Sequence, residues 1–187
     1  TAFGTPTALT DITGNELQVI QDNADNVVIG VATSTGFKLR SYDAADGSTL
    51  YTSNNITASG TSHLGNLYGT SDGKIGLVGY TDSGNVVIAR FNADLTLDGT
   101  FNPNGAPAGV LITPVGVMTS VYDGFVYADD RVYVIGGGSD TDPYLARAFG
   151  DDYVTNLSQA PVYGVPGTLD LTLGTDGNGA FQLNELT

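Results

Sequence analysis

The sequence predicts an all-β protein made of about three and a half antiparallel, four-stranded, blade-like repeats in a propeller-like or open β-array. Two observations carry this prediction. The residue types that favour helix surfaces are nearly absent, since 18 of the 20 acidic residues are Asp and only Lys38 and Lys74 are lysines. Asp and the 26 glycines favour turns instead. In addition, one segment recurs along the chain: an acidic turn, an apolar run, a Gly/Ser turn and a run containing Arg.

The recurring segment begins at matched acidic turns whose aspartates lie 47, 58 and 46 residues apart, at Asp25, Asp72, Asp130 and Asp176. A fixed period of this length is the signature of a repeated supersecondary unit. We therefore interpret residues 1–187 as one repeat domain. Its units are predicted at 14–60, 61–116 and 117–167, with a half unit at 168–187 that residues 1–13 can complete, within the chain or in a neighbour.

Within each unit the strands follow from short β-branched runs separated by turn residues. The first hairpin of each unit joins a strand to an apolar run, at 16–20 with 27–32, at 67–68 with 75–80 and at 125–127 with 132–135. A polar turn and a third strand follow, at 37–42, 86–91 and 144–149. A four-stranded blade needs about 50 residues arranged as strand, hairpin, strand and hairpin. Blades stack because none of them buries its apolar face alone.

The second unit also carries a resemblance to a known family. The runs SDGKIGLVGY at 71–80 and VVIARFNADLTLDGTF at 86–101 resemble the delta-60 repeat of bacterial β-propeller-like proteins. The likeness covers about 45 residues of the second unit and is weak in the first and third. Membership of that family would imply a secreted or surface-exposed propeller blade, usually of unassigned function.

Charge and composition exclude several partners. The formal net charge is −14 and the four arginines are dispersed, whereas a nucleic acid backbone requires clustered Lys and Arg. We therefore expect no nucleic acid partner and no anionic membrane surface. No apolar stretch approaches the roughly 20 residues of a membrane span. Without Cys the chain can form no disulfide, thiolate nucleophile or Cys-based zinc site.

The candidates for catalysis are few, and we predict that the protein is not an enzyme. His63 is the only histidine, so it is the only base for a Ser/His/Asp arrangement, and no nucleophile elbow marks Ser62 or another Ser. Paired carboxylates could act in a glycosidase if they stood about 5–10 Å apart across a cleft. We interpret these pairs as turn-capping aspartates instead; they are Asp129–Asp130, Asp140–Asp142 and Asp151–Asp152.

Calcium is the predicted cofactor, although none is required. Two Gly-rich or polar turns place oxygen ligands at alternating positions, as hard cations prefer; the predicted ligands are Asp140, Asp142, Asp176 and Asn178. Neither turn continues as an EF-hand. The run Gly136–Gly138 follows an apolar strand but lacks a Lys-Ser/Thr and a helix, so it predicts a bulge or a close approach between blades. The aromatic residues Tyr42, Phe91 and Phe149 are predicted to be core.

The leading functional prediction is a non-enzymatic structural or interaction protein whose open β-edges support self-assembly into a filament or ring. Exposed sheet edges are normally either protected or used, and the expected partners are other copies of the chain. The expected location is extracellular or at a cell surface, with a structural or decoration protein of a virion as one alternative. A carbohydrate-binding or calcium-dependent adhesive module, with glycan partners, is another.

Overall fold

The computed structural model describes residues 14–115, 118–126, 131–138, 143–148 and 180–182. These residues form antiparallel β-strands and turns, and they contain no helix. Consequently no helix among them has the length and apolar character needed to cross a membrane. The predicted all-β class with antiparallel, blade-like repeats is therefore confirmed.

Three sheets follow one another along the chain. Sheet 1 contains β1 (Glu16–Gln21), β2 (Val27–Thr33), β3 (Gly36–Tyr42), β4 (Thr49–Thr52) and the short β5 (Ile56–Thr57), which pairs with β3. Sheet 2 contains β6 (Ser62–Gly69), β7 (Ile75–Thr81), β8 (Asn85–Phe91) and β9 (Val110–Pro114). Sheet 3 contains β10 (Met118–Val126), β11 (Val132–Gly138), β12 (Pro143–Ala148) and β13 (Ala180–Gln182).

The last described segment differs from the sequence-based expectation. Residues 168–187 were expected to start a fourth unit, but Ala180–Gln182 pairs with β12 and forms the outermost strand of sheet 3. A strand of this length has too few residues to show a period, so the sequence does not reveal its partner. Residues 168–179, 183–187 and 1–13 lie outside the described part of the chain.

Aspartate side chains shape the turns between the strands. Asp22 Oδ1 accepts hydrogen bonds from the backbone N–H groups of Ala24 and Asn26, at 2.9 and 2.8 Å. The same Asx arrangement recurs in later turns, where Asp43, Asp46, Asp94 and Asp98 accept from the N–H two residues ahead. This local bonding explains why the chain uses Asp rather than Glu, because the shorter side chain reaches its own backbone.

The sheets pack face to face in chain order. The first core lies between sheets 1 and 2 and joins one face of each, with Val28, Phe37 and Leu39 against Leu67, Leu77 and Phe91. The second core lies between sheets 2 and 3 and includes Val78, Ile88, Val121, Val134 and Ala146. Because side chains alternate along a strand, both faces of sheet 2 are covered, whereas sheets 1 and 3 each cover sheet 2 with one face.

Glycines allow the close approach of neighbouring sheets. A Cβ on Gly30 of sheet 1 would lie 2.8 Å from Leu67 Cδ1 of sheet 2. A Cβ on Gly124 of sheet 3 would lie 2.6 Å from Val78 Cγ2 of sheet 2. Each of these glycines therefore forms a recess for a side chain of the adjacent sheet.

Candidate functional site

Among the described residues, the outer face of sheet 1 carries two exposed apolar side chains. Leu17 and Val19 point outward from β1, and they are 57% and 63% exposed. In register beside them on β2 are Val31 and Ile29. We call Leu17, Val19 and Ile29 the sheet 1 end face. Apolar residues at alternate positions of a strand are a core-facing pattern, yet here the two side chains of the first strand meet solvent.

The repeat shows what the equivalent positions do in the other sheets. Leu64 and Leu67 of β6 occupy the places in sheet 2 that Leu17 and Val19 occupy in sheet 1, as the strand registers show. Leu64 and Leu67 are only 8% and 3% exposed because they pack on sheet 1. Leu17 and Val19 are therefore sheet-packing positions without a described sheet against them, whereas Val31, beside Leu17 on the same face, is fully buried.

Sheet 3, the last sheet of the described residues, has a second apolar face. Phe125 and Tyr133 stack on that face with ring centroids 5.5 Å apart, and Phe125 is 46% exposed. The guanidinium of Arg147 lies 5.8 Å from the centre of the Tyr133 ring. Ile135 and Leu145 are paired neighbours on the same face and are half-buried. We call Phe125, Tyr133, Ile135 and Leu145 the sheet 3 end face.

A polar cluster ties sheet 1 to sheet 2. His63 on β6 contacts two carboxylates, with Nδ1 2.8 Å from Glu16 Oε1 and Nε2 2.9 Å from Asp82 Oδ1. Glu16 lies on β1, and its second oxygen accepts the backbone N–H of Leu64 at 2.6 Å. The imidazole stacks on Tyr80, with centroids 4.6 Å apart and planes 15° apart. His63 is therefore a strand residue that bridges two sheets.

These contacts shift the ionisation of the cluster. The hydrogen bond to Glu16 is the main cause that raises the pKa of His63, opposed by partial burial and assisted by the bond to Asp82. The bond from His63 lowers the pKa of Asp82 in turn, with help from Thr61. Both shifts favour a charged pair. The cluster is therefore an ion-pair bridge when His63 is protonated.

The same geometry weakens the catalytic interpretation of His63. Both ring nitrogens face carboxylates, and the described contacts of His63 include no hydroxyl group that it could activate. Ser62 is buried, and its hydroxyl has no described hydrogen-bond partner. Because the two carboxylates lie on opposite ring nitrogens, they do not converge on one point, and the described residues contain no group of three His, Asp or Glu suited to a metal ion.

A second ionic cluster lies inside sheet 2, in the segment that carries the family resemblance. Asp98 Oδ2 accepts hydrogen bonds from Arg90 Nε at 2.6 Å and Lys74 Nζ at 2.7 Å. Burial works to raise the pKa of Asp98, but the bonds from Lys74 and Thr100 and the charge of Arg90 outweigh it and lower the pKa. Arg90 also lies 5.1 Å from the centre of the Phe101 ring. We interpret this cluster as a structural feature that stabilises the unit, since both carboxylate oxygens of Asp98 accept hydrogen bonds.

Several residues singled out by the sequence fall outside the described part of the chain. They include all four predicted calcium ligands, Asp140, Asp142, Asp176 and Asn178, and also Asp129–Asp130, Asp151–Asp152 and Phe149. Calcium binding therefore stays a prediction. Tyr42 and Phe91 are buried, so their predicted core positions are confirmed. Gly136–Gly138 lies on β11 opposite two register shifts, and both shifts fall in β10 rather than in the glycine run.

Comparison with known proteins does not identify a family for this chain, because no family model and no curated protein matches it.

Sequence reasoning did not find the Glu16–His63–Asp82 bridge, because its members are far apart in the chain and no motif spacing joins them. It also did not single out Leu17 and Val19, although their alternation with polar residues was visible. The signal available was a position-by-position comparison of β1 with β6, which places Leu17 and Val19 at the positions of Leu64 and Leu67.

Proposed function

We propose that this chain is a non-enzymatic structural or interaction module that self-assembles through its two end sheets into a ring or filament. The observation that carries the proposal is the exposure of Leu17 and Val19 at positions where the repeat buries Leu64 and Leu67. A location outside the cell, on a cell surface or on a virion is part of the same proposal and rests on composition alone.

The energetic argument favours contact between the end sheets. Full burial of a Leu or Val side chain contributes about 1.5–3 kcal/mol. Leu17 and Val19 of β1 are exposed, and Phe125 of sheet 3 is a third exposed apolar side chain that an interface could bury. A specific interface buries about 1,000 Å² or more, which is the scale of one sheet face on another. Contact between a sheet 1 end face and a sheet 3 end face uses two different surfaces, so it can repeat into a ring or a filament.

Charge opposes this association and makes it dependent on salt. Each copy carries a formal net charge of −14, so two copies repel at low ionic strength. At about 0.15 M salt the Debye length falls to about 8 Å, and the repulsion between exposed charges is largely screened. We therefore expect assembly to strengthen as salt increases.

Sedimentation velocity over a range of protein and salt concentrations tests the proposal. The expected result is an assembly at high concentration whose population rises with salt. Val19→Lys should shift the material to monomer, because it places a charge on the proposed contact. Tyr51→Lys is the matched control, since Tyr51 is 46% exposed on β4 and lies away from both end faces. A chain that stays monomeric at high concentration and high salt would contradict the proposal.

The described residues give no comparable support to the alternatives. A calcium-dependent adhesive module would depend on turns outside the described part of the chain, and so would a hydrolase that uses the Asp pairs Asp129–Asp130, Asp140–Asp142 or Asp151–Asp152.

A further inference from the structure

We infer that His63 is a proton-operated switch of the turn between β7 and β8: the protonated ring holds Asp82, whereas the neutral ring releases Asp82 and keeps Glu16. The switch uses residues of sheets 1 and 2 alone, so it does not require self-assembly and goes beyond the proposed function. Its basis is the position of one carboxylate at each nitrogen of the ring.

The geometry of the ring sets its protonation state. Nδ1 of His63 lies 2.8 Å from Glu16 Oε1, and Nε2 lies 2.9 Å from Asp82 Oδ1. An ionised carboxylate can only accept hydrogen bonds, and a neutral imidazole has a single N–H to donate. Only the doubly protonated ring can therefore make both bonds. When the proton leaves, one nitrogen turns a lone pair toward a carboxylate oxygen, so that contact must open.

The contact to Asp82 is the one that opens, because Glu16 is held independently of the ring. The second oxygen of Glu16 accepts the backbone N–H of Leu64 at 2.6 Å, and Glu16 lies in β1, which is paired with β2. The side chain of Asp82 lies on a turn and is 60% exposed, against 39% for Glu16. Water readily replaces the partner of an exposed carboxylate. The neutral ring therefore keeps its proton on Nδ1 and bonds Glu16.

The turn has local bonds that remain after the release. The backbone N–H of Asp82 donates to the carbonyl of Thr61 at 3.0 Å, and that of Gly84 donates to the carbonyl of Thr81 at 2.8 Å. The side chain of Thr61 also bonds the Asp82 carboxylate. Because these bonds do not involve the imidazole, the switch moves one carboxylate and its turn without unfolding the hairpin.

The groups around the ring place the switch near neutral pH. Tyr80 stacks on the imidazole; partial burial is the main cause that raises its pKa above 10.0, assisted by the charges of Glu16 and Asp82 and by Tyr122 on β10. Tyr80 is therefore neutral throughout. The bond to Glu16 raises the pKa of His63 above 6.5, against partial burial. The bond from His63 lowers the pKa of Asp82 below 3.8, so Asp82 is ionised on both sides of the transition. The release therefore occurs above pH 6.5.

Nitrogen-15 NMR of the wild-type chain tests the switch directly, because His63 is the only histidine and its two ring nitrogens give the only imidazole signals. Between pH 5 and 9 we expect both nitrogens to be protonated at the acidic end and only Nδ1 at the basic end, with a midpoint above pH 6.5. The backbone amide signals of Asp82–Gly84 should shift with the same midpoint. The turn at Asp94 is the internal control, since that carboxylate bonds Thr96 and its amides should not shift.

Two variants separate the two carboxylates. Glu16→Gln should lower the imidazole midpoint more than Asp82→Asn does, because the bond to Glu16 is the larger cause of the raised pKa. Glu16→Gln should also abolish the preference for a proton on Nδ1, whereas Asp82→Asn should keep that preference and remove the amide shifts of the turn.

The wild-type titration alone can overturn the inference, even if a variant does not fold. A neutral ring protonated on Nε2 would mean that Asp82 is kept and Glu16 is released. A midpoint at or below pH 6.5 would mean that the carboxylates do not hold the charged ring. Amides of Asp82–Gly84 that stay constant through the transition would mean that the turn is not switched.

Discussion

Nδ1 of His63 in sheet 2 lies 2.8 Å from Oε1 of Glu16 in sheet 1. The other oxygen of Glu16 accepts the backbone N–H of Leu64 at 2.6 Å, so one carboxylate holds β1 against β6 at two points. Glu16 precedes Leu17, which points to the opposite face of β1. The bridge therefore fixes the strand that carries the sheet 1 end face.

The first prediction concerns the pH dependence of folding stability. The pKa of His63 in the folded protein is raised above its ordinary 6.5 by the bond to Glu16, against partial burial. The stabilisation is therefore complete below about pH 6.5 and is lost as pH rises through the folded-state pKa. The pKa of Asp82 is lowered from 3.8, so the contribution of Asp82 to folding stability is present above pH 3.8 and is lost on acidification. Urea midpoints measured from pH 3 to 9 should be highest between these limits.

Two variants isolate the histidine in that profile. His63→Gln should flatten the profile between pH 6 and 9, because the titrating group is gone. Glu16→Gln should reduce the pH dependence while leaving His63 in place, since it removes the main cause of the raised pKa. If His63→Gln keeps the wild-type slope in this range, another group is responsible and the bridge has been misread.

A second prediction concerns the buried carboxylate of Asp98, which Arg90 and Lys74 both contact. Asp98→Asn leaves the Arg90 charge uncompensated, and the loss of one partner from a buried pair costs about 3–5 kcal/mol. The free energy of unfolding from urea denaturation should fall by about 3 kcal/mol. Asp94→Asn is the control, since Asp94 is an exposed turn residue, and its effect should stay within about 0.5 kcal/mol. Equal effects of the two substitutions would refute the assignment.

The third prediction tests the close approach of the sheets at Gly79. A Cβ there would lie 2.6 Å from the carbonyl oxygen of His63 and 2.7 Å from Cε1 of Phe37. Because a backbone atom cannot move aside cheaply, Gly79→Ala should destabilise the fold by about 1–3 kcal/mol. Gly69→Ala, in the same sheet with open space around its Cβ position, should be neutral or stabilising. Thermal unfolding of both variants decides the comparison, and a neutral Gly79→Ala would contradict it.

The fourth prediction compares equivalent residues of two sheets. Leu67 is buried between sheets 1 and 2, so Leu67→Ala should cost about 2–5 kcal/mol. Leu17 is 57% exposed, so Leu17→Ala should change the stability of the dilute chain by less than about 0.5 kcal/mol. At concentrations where the chain assembles, however, Leu17→Ala should weaken association measurably. Light scattering and urea denaturation on the same samples separate the two effects.

Much of the fold was predictable because it rests on local chemistry. The scarcity of Glu and Lys and the recurrence of Asp turns pointed to hairpins, and Asp22 and Asp94 do bond to the backbone of their own turns. The candidate sites were less predictable. The bridge from Glu16 to His63 spans 47 positions in the sequence, and only the packing of sheet 1 on sheet 2 brings the two side chains together.

By itself, then, the sequence determined the class of structure, the period of the repeat and the placement of most strands, since turn chemistry and alternation act between near neighbours. Only the tertiary structure decided which apolar residues are covered. Leu17 and Leu64 are the same residue type at equivalent strand positions, yet one is exposed and the other is buried. The reason is that a sheet has two faces, and burial of each depends on whether another sheet lies against it.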